Sequence, residues 1–448
     1  MANQDLYLPL SDDFIFPTNS EVGATAQSDR DGKSTYLCGN SLGLLSKTAS
    51  TLVQDELSVW GSRAVVGHFS HPKNRPWTKC CDPVNVLLAE LLGANEIEVA
   101  CMGTLTNNLH LMMDSFYKPT STRYKILCEA HAFPSDQYAF QSQAIAHGLD
   151  PKTAILELSP REGEYTLREE DILATIEKEG DSIALVLFSG IQYYTGQWFP
   201  MENITKAAKD KGCICGWDLA HAIGNVPLSL HDWNVDFAVF CTYKYVNSGP
   251  GGIAGLFVHD KWHEVERPKF AGWWGHELTT RFEMPPTFQP IKGAQGFQQS
   301  NPSALTVAAL LGSLQVFKSA GMMGPIRERS VQLTAVLENL LKKSKYFVPP
   351  TAEVVVRAAK GDSGADLKRK FTIITPEDSS ARGAQLSLLF LPIGSGTMQL
   401  VFDYLTEHGV IGDERQPDVI RLAPAPLYNT LKDCERAAEV LEKAFDSL

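Results

Sequence analysis

Cys215-Gly216-Trp217-Asp218-Leu219-Ala220-His221-Ala222 and, further on, Asp236-Phe237-Ala238-Val239-Phe240-Cys241-Thr242-Tyr243-Lys244-Tyr245 are the stretches from which the fold is read. Each is an apolar run of strand length with a charged side chain at or just past its end. Outward from this pair the same pattern repeats from about residue 95 to 260. Apolar runs at Tyr124 to Cys128, Ala154 to Leu158, Ile183 to Phe188 and Gly252 to Val258 alternate with amphipathic stretches, which is the signature of a mostly parallel sheet covered by helices on both faces. Met201 to Lys211 and Leu167 to Glu179 read as helices, stopped by Gly212 and Gly180. The fold class is therefore α/β.

A smaller α/β region follows residue 310. Helical periodicity runs from Pro325 to Ser344, strand-like runs lie at Glu353 to Val356, Phe371 to Ile374 and Leu386 to Leu391, and Leu431 to Leu448 closes the chain as an amphipathic helix. The expected division is an N-terminal segment, 1–60, packing with the small domain, a large domain, 61–310, and a small C-terminal domain, 311–448. Residues 261–304, rich in Trp, Gly, Pro and Gln, read as an ordered functional crossing.

Forty Lys plus Arg against 52 Asp plus Glu leave a formal charge of -12. That balance opposes nucleic-acid binding and the basic patches of peripheral membrane proteins, and favours a small-molecule partner. Ile183 to Phe188, the longest apolar run in the middle of the chain, is far short of the ~20 residues of a membrane helix. With no basic residue before Arg30 a leader is not expected, and nine cysteines without CxxC spacing read as reduced thiols in a soluble, cytoplasmic protein.

Rival chemistries lack their motifs. G-x-G-x-x-G is absent, and Gly32-Lys33-Ser34 has Gln27 where a phosphate loop needs glycine. Gly39-Asn40-Ser41-Leu42-Gly43 matches a serine-hydrolase elbow in letters, but that elbow follows a central strand and only 38 residues precede it here. A serine hydrolase acting through Ser41 is thus a remote alternative. No HExxH or paired-His spacing points to a metal, so none is expected.

Pyridoxal 5'-phosphate (PLP) chemistry asks for a Schiff-base lysine, an acid at the pyridine nitrogen, an anion site and a flat group on the ring. Asp218, ending its strand where open α/β sheets gather ligands, is the acid. Taken alone it is as readily a turn cap. Lys244, past the next strand and before Gly249-Pro250-Gly251-Gly252, is the lysine; alone it is a solvated charge. Gly103-Thr104-Leu105-Thr106, opening a helix over Asn107 to Phe116, offers N–H groups to the phosphate. Phe133, which alone reads as core, is the ring platform, and Asp136 orders the loop Phe133-Pro134-Ser135-Asp136. The order strand, Asp218, strand, Lys244, glycine turn resembles the fold type I PLP enzymes.

Across roughly Tyr36 to Asn429 the chain further resembles kynureninase. The resemblance is carried by Gly39 to Leu44, Arg75-Pro76-Trp77, Phe133 to Asp136, Tyr194-Thr195-Gly196-Gln197, Asp218 to Ala222, Ala271-Gly272-Trp273-Trp274-Gly275-His276, Ser300-Asn301-Pro302 and Arg421 to Asn429. It implies hydrolysis of L-kynurenine and/or 3-hydroxykynurenine to anthranilate or 3-hydroxyanthranilate plus L-alanine, in tryptophan catabolism and NAD biosynthesis. By the same likeness Leu105, Thr106, Phe133, Pro134, Ser135, Asp136, Ser189, Asp218, His221, Tyr243 and Lys244 hold PLP, with Trp273 and Asn301 completing the pocket across a homodimer interface. Arg421 is implied as the substrate α-carboxylate clamp, with Asn40, Ser41, His68 and Asn301 as further substrate contacts and Tyr243 as a proton shuttle. The alternative is another fold type I enzyme of the cysteine desulfurase kind, which needs a solvent-reached cysteine on a late loop.

Overall fold

A computed structural model describes residues 10–361, 364 and 366–448. Its centre is a seven-stranded sheet built from β1 (Val99–Cys101), β2 (Lys125–Glu129), β3 (Ile155–Leu158), β4 (Ile183–Ser189), β5 (Ile214–Asp218), β6 (Phe237–Phe240) and β7 (Gly255–Val258). The spatial order is β1-β7-β6-β5-β4-β2-β3. Only β7 runs antiparallel to its neighbours, pairing Gly255 with Cys101 on one side and with Phe240 on the other.

The continuous apolar runs follow from burial on both faces. Alternate residues of each strand enter two separate cores. Leu127, Val186, Phe188, Cys215, Trp217, Ala238 and Phe240 face one, together with the helices Asp82–Leu92, Met201–Asp210 and Ala304–Ser319. Ile126, Cys128, Leu185, Leu187, Phe237 and Val239 face the other, against Leu105–Phe116 and Pro134–Ala146.

The second sheet comprises β8 (Lys370–Ile373), β9 (Leu386–Leu391), β10 (Asp413–Arg415) and β11 (Val419–Leu422), antiparallel in the order β8-β9-β11-β10. The helices Met323–Leu341, Thr397–Glu407 and Leu431–Asp446 close its core. One expectation fails here. Glu353 to Val356 is not a strand but part of the helix Ala352–Ala359. The Thr351 hydroxyl caps it by accepting from the Val354 N–H at 3.3 Å, and Val355 and Ala358, three apart, form its buried face. Packing of that face overrides the strand preference of three consecutive valines.

The N-terminal segment joins both halves: Thr35–Tyr36 pairs in parallel with Val410–Ile411, and the helix Lys47–Arg63 packs on Ala304–Ser319. Residues 261–304 run through three short 3-10 turns after one that begins at Asp260, and Ala294 and Phe297 are anchored in the core. Among the described residues no single helix is long and apolar enough to cross a membrane.

Candidate active site

The C-terminal ends of the parallel strands and the starts of two helices meet in one pocket. Glu129, Ser189 and Asp218 are the last residues of β2, β4 and β5, and Lys244 lies four residues beyond β6. The pocket is lined by Leu105, Thr106, Phe133, Ser135, Asp136, Ser189, Ile191, Tyr193, Asp218, Ala220, His221, Tyr243 and Lys244. Leu105 and Pro134 each open a helix, so two sets of unpaired backbone N–H groups point at one spot, where the Thr106 and Ser135 hydroxyls lie 2.6 Å apart. Gly103, at φ +58, turns the chain into the first of these helices, and a Cβ there would lie 2.5 Å from Asn108 Oδ1.

Lys244 Nζ lies 2.8 Å from His221 Nε2 and 5.9 Å from the centre of the Phe133 ring. Burial lowers the lysine pKa, opposed by Cys241 and Asp218. Burial, then the Lys244 charge, drives the His221 pKa well down, so its imidazole is neutral. Asp218 accepts the Ala220 N–H at 2.7 Å. Burial raises its pKa, while the hydrogen bond from Asp136 opposes the rise. Asp136 is driven well above the carboxylate range by burial and by Asp218. Burial thus raises the pKa of both neighbouring carboxyls. His221 Nδ1 and Asp136 Oδ1 are buried without a partner. These orphaned atoms beside a desolvated amine and a double helix start are what a bound pyridine ring and phosphate would satisfy, so the residues fit PLP.

Residues 358–441 match the kynureninase C-terminal domain family and residues 78–347 the aminotransferase class-V family. The chain is 54% identical to the kynureninase of Yarrowia lipolytica over 92% of this chain and 94% of that one. It is 47% identical to that of Saccharomyces cerevisiae, over 98% and 97%. The chain belongs to the kynureninase family. Among solved structures, a cysteine desulfurase from Thermococcus onnurineus superposes with a TM-score of 0.71 at 18% identity, covering 93% of this chain and 95% of that one. The cystine C–S lyase C-DES gives 0.73 at 17%, over 92% and 97%. At such identities these neighbours share the fold with this kynureninase-family chain and nothing more. All nine of its cysteines are free and buried, which removes the reachable thiol of a desulfurase.

Besides Pro134, which opens the helix between Phe133 and Ser135, six residues named from the family resemblance lie outside the pocket lining. Arg421 is buried in β11; it donates to the Tyr193 carbonyl at 2.7 Å, pairs with Asp413, and leaves its Nε without a partner. Its charge helps to depress the pKa of both His221 and Lys244. Asn40 donates to Gln385 Oε1 at 3.1 Å, and among the described residues no histidine bonds Ser41. The glycine loop that carries them instead supports the lysine: the Gly43 N–H donates to the Tyr243 carbonyl at 2.8 Å. His68 stands edge-on to Trp77, 5.2 Å between ring centres. Trp273 and Asn301 are exposed on the outer surface. The Arg75-Pro76-Trp77 motif holds its loop to the helix Lys47–Arg63, since Arg75 and the Trp77 indole both donate to buried Glu56, at 2.8 and 2.7 Å.

Glu129, Ile191, Ala220 and Tyr193 were not singled out from the sequence. Glu129 carries the signal that marked Asp218, an acid ending an apolar strand. The Ser189 hydroxyl donates to it at 2.5 Å, and burial raises its pKa to about 7.

Proposed function

We propose that this chain is a PLP-dependent hydrolase that cleaves L-kynurenine and/or 3-hydroxy-L-kynurenine to anthranilate or 3-hydroxyanthranilate plus L-alanine. The observation that carries the proposal is the Lys244 amine, kept desolvated beside a neutral His221 and two buried carboxyls, in a chain of the kynureninase family. Leu105, Thr106 and Ser135, on the two converging helix starts, are the residues that would hold the phosphate end, and Asp136 backs Asp218. Phe133 would flank the ring and Asp218 its nitrogen, with Ser189, His221, Tyr243, Trp273 and Asn301 completing the set. Bound PLP supplies a sink for the electron pair left when a bond to the substrate α-carbon breaks.

The protein's own part is acid–base work and positioning. Lys244, whose pKa burial lowers, accepts the α-proton. Asp218 holds a proton at the ring nitrogen. Burial raises the Tyr243 phenol, so Tyr243 stays protonated and serves as a donor. Arg421, with its Nε free, receives the α-carboxylate. His68 and Asn301 are proposed at the substrate's aryl end, with Asn40 and Ser41 as further substrate contacts.

Trp273 and Asn301 face outward, so they serve a pocket only across an interface between two copies of the chain. Trp273, Phe282 and Phe69 make edge contacts at 5.4 Å in an exposed apolar strip, and Val65, Val66 and Phe270, close to them in sequence, are exposed as well. This strip is the proposed homodimer face. Nine buried free thiols accord with a cytoplasmic location.

The test is the visible spectrum of the purified protein, before and after borohydride, followed by addition of L-kynurenine. A yellow band that borohydride fixes on Lys244, with release of fluorescent anthranilate, is the expected result. A yellow protein inert to kynurenine and its 3-hydroxy form overturns the substrate, and a colourless one that takes up no PLP overturns the whole proposal.

A further inference from the structure

At the edge of the central sheet opposite the pocket, four potential metal ligands from three separate segments converge. Glu98 immediately precedes β1, His231 lies between β5 and β6, and His259 and Asp260 immediately follow β7. Because β7 is antiparallel, with Val258 opposite Phe237 and Phe257 opposite Val99, its end meets the starts of β6 and β1, away from Asp218. One ligand atom from each of the four residues lies within 4.8 Å of all the others.

His231 Nδ1 is 2.9 Å and His259 Nδ1 3.5 Å from Glu98 Oε1, and His259 Nδ1 is 2.9 Å from Asp260 Oδ1. Bonds of about 2.0–2.1 Å to a tetrahedral zinc place neighbouring ligand atoms about 3.3 Å apart, which these three spacings bracket, and binding would displace the Lys261 N–H that His259 Nδ1 accepts at 3.2 Å and the Asn95 amide 3.2 Å from His231 Nδ1. Glu98 is fully buried and is already oriented by main-chain N–H groups, from Asn95 to Oε2 and from Asp260 to Oε1, both at 2.8 Å. Backbone donors fix that carboxylate in place without neutralising it, and two carboxylates with two neutral imidazoles would balance a divalent ion. Imidazole nitrogen with carboxylate oxygen selects a borderline cation such as Zn2+ over the all-oxygen sites that suit Mg2+ and Ca2+.

We propose that Glu98, His231, His259 and Asp260 form a structural site for Zn2+ that clamps β1, β7 and the β5–β6 connection together at the edge away from the reaction. The test uses the chelator-treated holoenzyme titrated with Co2+ and then Zn2+. The expected result is one Co2+ per chain with the intense visible bands of tetrahedral coordination, displaced by Zn2+, and a rise in thermal midpoint on Zn2+ addition. The bands and the rise are lost in His231→Ala and in His259→Gln, while kynurenine turnover by His231→Ala stays unchanged. His231 is the more exposed of the two imidazoles, so its truncation leaves the fold intact. No visible bands, bands that persist in both variants, or an equal thermal rise with Ca2+ overturns the site, leaving the cluster a hydrogen-bonded ion pair.

Discussion

Lys244 and Glu129 meet burial with opposite outcomes. Desolvation drives the lysine toward its neutral, reactive form and the glutamate toward its protonated one. Lys244→Ala is expected to leave the fold intact, abolish the borohydride-fixable band and lower turnover by at least about 10²–10⁴-fold, as measured by anthranilate release. The Glu129 carboxyl moves from an ordinary value of 4.5 to about 7 on folding, so the folded chain binds the proton more tightly than the unfolded one. The stability it contributes is full below pH about 4.5 and is lost as pH rises through about 7, a change on the order of 3 kcal/mol. Glu129→Gln is therefore expected to flatten the decline of the thermal midpoint between pH 5 and 7 relative to the parent. Parallel midpoint curves for the two proteins would show that the buried carboxyl is not what titrates.

At the scale of elements, the lysine depends on a loop far from it in sequence. A Cβ on Gly43 would lie 2.1 Å from Asn247 Oδ1 and 2.4 Å from the Lys244 carbonyl. Gly43→Ala must push the lysine turn away from the pocket, at a cost of about 1–3 kcal/mol. The expected outcome is a lowered thermal midpoint together with weaker retention of PLP on dialysis, whereas normal retention would show that the turn tolerates the shift. The motif Gly39 to Gly43 was thus legible as important, but its role was not: its letters match a nucleophile elbow, and only the fold shows that it braces the lysine turn. The run Glu353 to Val356 misled for a related reason. Three valines favour a strand only where a sheet edge awaits them, and here the available surface suited one helical face.

The whole molecule presents an apolar strip of Phe69, Trp273 and Phe282, with Val65, Val66 and Phe270 close to them in sequence and all six exposed. If this strip joins two copies, a charge at its centre must separate them. Phe69→Glu is expected to halve the mass seen by light scattering and to reduce turnover strongly, because Trp273 and Asn301 then reach no pocket. A variant that stays dimeric, or a monomer of full activity, would remove those two residues from the site.

The sequence by itself determined the α/β class, the strand succession from Tyr124 to Val258 and the pairing of Asp218 with Lys244. Burial on both faces imposes uninterrupted apolar runs, and a charge at the end of such a run stands out locally. What only the tertiary structure decided was which distant side chains meet: Glu129 with Ser189, Gly43 with the lysine turn, Arg421 with Tyr193, and Glu98 with His231 and His259. Those contacts join segments tens to hundreds of residues apart, set by strand order and by the reversed direction of β7, and no local spacing encodes them.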